Sequence, residues 1–357
     1  MKPRLTALIT NYNYGRYLPV AIEAMVRQSR PADELILIDD ASTDGSQQVV
    51  DELGRRYPFI TIIKHEVNRG MNPSGQEGLE LATGDYFYWG SADDMVLPGF
   101  FATAMALAEK FPDAPLCAGI PVRLHEDTRK QDRTCIGMPD TADFLPPAAL
   151  WRLAPAGALE LGGAWAIFRK RDLKALGGFR VPLTSLSDWF LVYALALGRG
   201  LCWTAQPAAV MRLHAQNYSS SFDANRDTHG KVLTHLAELL AGEVPEETRH
   251  GFRRSGVLAQ LGSPMARVLL SQRRFWRLSS GRFWRARLAS MSYHAVARLA
   301  RRLGWSAHGP RAGSGQKVCA TTFDLSAMNA PGPVERNEAV RRVPGERDCD
   351  HPASAQR

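Results

Sequence analysis

Disulfide chemistry has little to work with in this chain: its 357 residues include five cysteines (Cys117, Cys135, Cys202, Cys319 and Cys349), an odd number with no Cys-x-x-Cys pair. That excludes a disulfide scaffold and suits a reducing, cytoplasmic setting. No basic stretch followed by an apolar one opens the chain, because Met1 Lys2 Pro3 Arg4 leads directly into an apolar, strand-like run; the expectation is a protein that is not exported. Long apolar runs are also missing. The most apolar stretch, Trp189 to Leu197, is cut by Gly198 and Arg199, well short of the roughly 20 residues a membrane-spanning helix needs. Acid is absent over a long interval, from Thr248 to Phe323, while arginine recurs throughout it.

What is present suits a folded protein. With 45% hydrophobic and 22% charged residues, the chain can bury the core of one large domain or two small ones. Its net charge of +8 is unevenly placed: residues 225–357 carry 22 Lys and Arg against 11 Asp and Glu, leaving 22 against 25 for residues 1–224. The basic character belongs to the C-terminal part.

Up to about Leu116, short apolar runs alternate with helical periodicity. Strands are expected at Leu5 to Thr10, Leu35 to Ile38, Ile60 to Lys64 and Tyr86 to Trp89, and helices at Tyr17 to Gln28, Ser46 to Arg56, Ser74 to Leu81 and Pro98 to Lys110. Such alternation predicts an α/β fold with an open, mostly parallel twisted sheet and helices on both faces. Three of the strands end in polar groups. The first runs into Thr10 Asn11 Tyr12 Asn13 Tyr14, the second into Asp39 Asp40 Ala41 Ser42 Thr43 Asp44, and the fourth into Gly90 Ser91 Ala92 Asp93 Asp94. Ligands bind outside the carboxyl ends of strands in such sheets, where carboxylates and substrate phosphates hold a hard cation. Hydroxyl, amide and aromatic groups at the same edge suit a nucleoside.

In order along the chain, Thr10 Asn11 Tyr12 Asn13, Ile38 Asp39 Asp40 Ala41 Ser42 Thr43 Asp44, Asn68 Arg69 Gly70, Ser91 Ala92 Asp93 Asp94, Gly177 Gly178 Phe179, Ser187 Asp188 Trp189 and Arg212 Leu213 His214 resemble the motifs of the family 2 inverting glycosyltransferases. The resemblance covers roughly residues 4 to 222, and its strength lies in the shared order. It implies a GT-A-like fold and transfer of a sugar, with inversion, from a nucleotide-diphosphate donor (a UDP-sugar first of all) to a glycan or lipid-linked acceptor hydroxyl, in cell-surface polysaccharide or glycoconjugate synthesis. By the same resemblance Asp188 is the general base. Tyr12 stacks on the nucleoside base, Asp40 accepts from its ring nitrogen, and Thr10, Asp39 and Arg69 join the nucleotide site. Asp93 and His214 meet a Mg²⁺ or Mn²⁺ ion and the diphosphate. Two positions depart from the pattern: Ser91 and Ser187 stand where most relatives have an acid.

The resemblance implies a nucleotide-sugar-binding half over residues 1–115 and an acceptor-binding half over 116–224. The Pro- and Ala-rich stretch Asp140 to Ala158 reads as a loop over the acceptor site. A basic amphipathic helical region follows over 225–304, with helices at Thr228 to Leu240 and Arg273 to Leu303 and a break near Gly281, and 305–357 reads as a disordered tail. Trp276, Phe283, Trp284, Leu288, Met291, Leu299 and Leu303 fall near one helical face among arginines; such a helix either packs on the catalytic domain or lies on an anionic membrane, the inner face being the expected one. Nucleic acid could use the same charge but has less motive. Two rival classes remain. A sugar nucleotidyltransferase needs a Gly-rich phosphate loop after the first strand, which Thr10 to Gly15 does not supply. A non-catalytic nucleotide-sugar or glycan-binding protein of the same fold is countered by the retention of both Asp93 and Asp188.

Overall fold

The computed structural model describes residues 2–133, 138–154, 159–215, 217 and 226–289; the tail read as disordered lies outside them. Four strands form the parallel part of the sheet: β1 (Leu5–Asn11), β2 (Glu34–Asp39), β3 (Thr61–Lys64) and β4 (Tyr86–Ser91), in the order β3-β2-β1-β4. Successive β1 residues face opposite sides, so Leu8 joins one core and Ala7 and Ile9 the other. Both faces are covered, which is why these strands read as continuous apolar runs instead of alternating ones. Helices α1 (Leu18–Val26), α2 (Ser46–Arg56) and α4 (Phe100–Lys110) contribute their buried side chains to the Ile9 core, and α3 (Met71–Leu81) places Leu79 in the Leu8 core.

The rest of the sheet departs from the parallel expectation. Strand order continues from β4 to β9 (Ala166–Arg169), β6 (Leu116–His125), β10 (Leu201–Leu213) and β5 (Met95–Val96). β9 pairs antiparallel with both β4 and β6, and β10 runs parallel to β6. The sheet is therefore mixed, and one continuous sheet carries residues from both sides of position 115. In β10 the register shifts on either side of Pro207, where the missing N–H cannot join a ladder. β7 (Gln131–Arg133) pairs with β6.

The stretch Asp140 to Ala158 is not simply a loop: β8 (Asp143–Leu145) pairs antiparallel with the start of β10, and α5 (Pro147–Leu153) follows. Proline at the first helical position starts α5, since its missing N–H would have had no partner there. After α6 (Lys170–Ala175), the 3₁₀ segment Val181–Leu186 leads into α7 (Ser187–Arg199). Residues 181–199 are long and apolar enough to cross a membrane by length and composition, yet most of the segment is buried inside the protein. Part of what buries it comes from the C-terminal region. Helices α8 (Arg226–Gly242), α9 (Glu246–Ser255) and α10 (Gly262–Ser271) follow one another, and Phe252 of α9 stacks on Phe190 of α7 with ring centroids 6.4 Å apart. The helical region expected from Arg273 breaks near Gly281 as its sequence suggested, but the part before the break is a 3₁₀ turn, Arg273–Leu278, and the part after it a helix α11 over 281–289. Its Phe275, Leu278 and Phe283 are buried in the main core, whereas Trp276 and Leu288 are exposed; Met291, Leu299 and Leu303 lie outside the described residues.

Candidate active site

Parallel register sets Asn11 beside Asp39 and Thr10 beside Ser91, so the polar strand ends meet at one edge. A cavity of about 1010 Å³ opens there. Thr10 to Tyr14 and Asp40, Ser91, Asp93 and Asp94, and Gly163 to Trp165, Ser185 and Asp188 all line it. Five of the residues expected from the sequence therefore share one space: Thr10, Tyr12, Asp40, Asp93 and Asp188.

Asp40 is held by three donors. Its Oδ1 accepts the Arg69 backbone N–H at 2.9 Å and faces His65 Nδ1 at 2.6 Å, while Oδ2 accepts the Gly70 N–H at 2.7 Å. The Asn68-Arg69-Gly70 turn thus serves Asp40 through its backbone. The Arg69 side chain points elsewhere, pairing with Glu77 at 3.2 Å, and does not line the cavity. Tyr12 is half exposed on the cavity wall. Asp39 is fully buried behind that wall: its Oδ1 accepts Asn11 Nδ2 at 2.7 Å and Ser42 Oγ at 2.6 Å. It ties the β1 end to the turn at Ala41, whose φ is +59°, and its role is to shape the site without lining it.

Asp93 Oδ2 faces His214 Nε2 at 3.1 Å and accepts from Asn217 Nδ2 at 3.2 Å, and Oδ1 accepts from the Ser91 hydroxyl. Ser91 is thus a donor to Asp93 where relatives would supply a second anion. His214 stacks on Tyr17 with ring centroids 5.4 Å apart; it is not among the cavity-lining residues, but its Nε2 stands beside the carboxylate of Asp93, which is. Among the described residues no group of three or more His, Cys, Asp and Glu side chains gathers as a metal site. One carboxylate and one imidazole nonetheless fit a Mg²⁺ or Mn²⁺ ion that keeps open positions for substrate phosphates, the usual way such ions meet a nucleotide. Asp94 accepts the Arg212 N–H at 3.0 Å; burial, with the Asp93 carboxylate beside it, pushes the Asp94 carboxyl well above the usual range.

Asp188 is the second residue of α7, with Leu186 in the N-cap position, so it lies in the first turn where the helix dipole favours an anion. Its Oδ2 accepts the Gly163 N–H at 3.2 Å, and burial raises its carboxyl above the usual range against that hydrogen bond. A Cβ on Gly163 would come within 3.1 Å of the Asp188 carboxylate, so a larger residue there would crowd it. Ser187 turns away: its buried Oγ accepts the Arg180 N–H at 2.8 Å and braces the 3₁₀ segment. Sequence reasoning missed His65, Gly163, Trp165 and Asn217. Gly162 Gly163 before an aromatic was the only signal for the loop, and nothing in periodicity marks His65, which follows β3 by one residue.

Residues 6–177 match the family model described as glycosyl transferase family 2. This stretch is a family 2 glycosyltransferase domain. It is 33% identical over 105 residues to an uncharacterized glycosyltransferase, YibD, of Escherichia coli strain K12, covering 29% of this chain and 30% of that protein. It is 34% identical over 95 residues to a cholesterol galactosyltransferase of Borreliella burgdorferi, covering 27% and 26%. The chain spans about a third of the length of the curated relatives it matches. The fold extends further than the sequence match. S. aureus TarS 1–349 in complex with UDP-GlcNAc aligns with a TM-score of 0.60 at 15% identity over 85% of this chain and 93% of that one. A mannosyltransferase of Pyrobaculum calidifontis, in complex with GDP-Man and Mn²⁺, aligns with a TM-score of 0.51 at 19% identity over 87% and 82%. The glycosyltransferase domain thus has the GT-A architecture, and the structural likeness covers most of the chain.

Proposed function

We propose that this protein is an inverting glycosyltransferase that moves a sugar from a nucleoside-diphosphate donor, a UDP-sugar first of all, to a hydroxyl of a glycan or lipid-linked acceptor in cell-surface glycoconjugate synthesis. One observation carries the reading: Tyr12, Asp40, Asp93 and Asp188 line the same cavity of about 1010 Å³, large enough for a donor and part of an acceptor. The base stacks on Tyr12 while an N–H on its edge donates to Asp40. The diphosphate lies toward Asp93, and a Mg²⁺ or Mn²⁺ ion held by Asp93 and His214 would offset the charge it gains on leaving. The acceptor hydroxyl gives its proton to the Asp188 carboxylate as its oxygen bonds to the anomeric carbon from the face opposite the diphosphate. The anomeric carbon–oxygen bond breaks, and its electron pair leaves on the nucleoside diphosphate. Gly163 fixes the carboxylate with its N–H, and burial makes Asp188 a stronger base once ionised. A binding protein without activity would have no need of an acid with a raised carboxyl in the same cavity as the nucleotide-side residues. The test is thermal melting of the full chain with UDP, GDP, dTDP and CMP species, each with and without Mn²⁺. One nucleotide should stabilise by about 2.7 kcal/mol at 100 times its dissociation constant, more with Mn²⁺; no stabilisation by any of them defeats the reading.

A second reading concerns location. Leu270, Trp276 and Leu288 are 57%, 53% and 62% exposed in the same acid-free stretch that exposes Arg267, Arg273, Arg277 and Arg285. Apolar side chains amid unopposed arginines suit the headgroup region of an anionic membrane, to which each arginine contributes about 1 kcal/mol. We propose peripheral attachment at the cytoplasmic face, within reach of lipid-linked acceptors.

A further inference from the structure

Next to the cavity residue Asp40 lies a chain of titratable groups, running from buried His65 to partly exposed Glu77, that the transfer reaction does not use. His65, one residue beyond β3, is buried with its Nδ1 2.6 Å from Asp40 Oδ1 and its Nε2 2.8 Å from Glu77 Oε2. Glu77 stands on α3 and is met from outside by the Arg69 guanidinium at 3.2 Å. The His65 backbone N–H donates to the Asp39 carbonyl at 2.9 Å, so the ring is anchored to β2 as well. Ionised carboxylates accept hydrogen bonds and never donate them. Both ring nitrogens face carboxylate oxygens, one on each side of the ring.

We infer that His65 is a positioning residue for donor binding, which holds the Asp40 carboxylate aimed into the cavity through Nδ1 and is itself held through Nε2 by Glu77. The inference rests on the proposed role of Asp40 as acceptor for the nucleoside base. Among the described residues, His65 is the one side chain that meets the Asp40 carboxylate, its other two partners being the backbone N–H groups of the Arg69-Gly70 turn. That turn leads into α3, whose Glu77 closes the loop back to His65. Strand β2, the turn and α3 are thus locked together at the back of the base pocket, and a buried network of this kind holds its members in place only while each is satisfied.

Two substitutions separate positioning from packing. An Asn side-chain amide reaches the place of Nδ1 and a Gln amide the place of Nε2, so His65→Asn keeps the bond to Asp40 while His65→Gln keeps the one to Glu77. Calorimetric titration of the full chain with whichever nucleoside diphosphate binds the wild type, Mn²⁺ present, gives the readout. His65→Asn should bind within about threefold of wild type and His65→Gln about tenfold or more weaker, since losing a bond to a charged group is a tenfold effect at least. Turnover at saturating donor should change little in either variant. Equal affinities in the two variants, the reverse order, or a shared collapse of folding overturns the inference. If the wild type binds no nucleoside diphosphate, the functional reading itself has failed, a result distinct from unchanged variants beside a binding wild type.

Discussion

At the scale of single residues, Asp188 is the group on which the chemistry turns. Asp188→Asn keeps an oxygen to accept the Gly163 N–H, so the variant should fold and bind donor yet lose transfer by about 10² to 10⁴ fold; steady-state rates at saturating donor and acceptor check this. Because burial raises the Asp188 carboxyl in the folded protein, its ionisation there costs free energy that the unfolded chain does not spend. Stability linked to this group is therefore greatest in acid and falls as pH rises through the interval between the unfolded and folded values. The Asn variant should lose that component, and its melting temperature at neutral pH should not fall below that of the wild type. Activity runs the other way: the carboxylate must be ionised to take a proton, so transfer should fail as pH drops through a value above the ordinary ~3.9 of aspartate. Asp93→Ala should bind nucleoside diphosphate with no dependence on Mn²⁺. Titration with and without the ion measures this, and retained metal dependence would remove Asp93 from the phosphate side.

At the scale of elements, the helix and loop that present Asp188 can be tested apart from it. Gly163→Ala adds a Cβ 3.1 Å from Asp188 Oδ2, a contact that must push the carboxylate. Turnover should fall by about tenfold, on the order of 1.4 kcal/mol in the barrier, while nucleotide affinity measured by calorimetry stays put. The strands and helices of the first 110 residues were legible because their apolar spacing is set by burial on both sheet faces. Others were hidden for identifiable reasons. β5 has two residues, too few for any period to show. The prolines Pro146 and Pro147 look like loop punctuation although one of them begins α5. α9 reads as polar because it meets α7 largely through small groups: Gly251 lies against the Leu197 backbone, and Phe252 is its one large buried side chain. Phe252→Ala should accordingly cost about 3 to 5 kcal/mol of stability, read from urea unfolding.

At the scale of the whole molecule, the C-terminal helices are part of the catalytic body. Gln260, in the turn after α9, approaches the Leu159 carbonyl at 3.3 Å, and Tyr193 of α7 donates to the same carbonyl at 2.7 Å, so the loop that leads to Gly163 is braced from the C-terminal side. Removing residues after Asn225 would uncover the apolar side of α7. The membrane reading is tested on the full chain, which should sediment with anionic vesicles and release as salt screens the arginines; failure to sediment at low salt would leave the exposed Trp276 without that role. Of the site, the strand-end acids were legible because motif order marks them. Which of them face the cavity was not, since Asp39 and Asp40 are neighbours on one strand end and only the fold decides that Asp39 turns inward. The account as a whole stands or falls on stereochemistry. Proton NMR of the full chain acting on an α-linked nucleotide-sugar donor should show the β-linked product as the first anomer formed, with the Asp188→Asn variant forming almost none. An α-linked first product, or equal turnover by that variant, would contradict it.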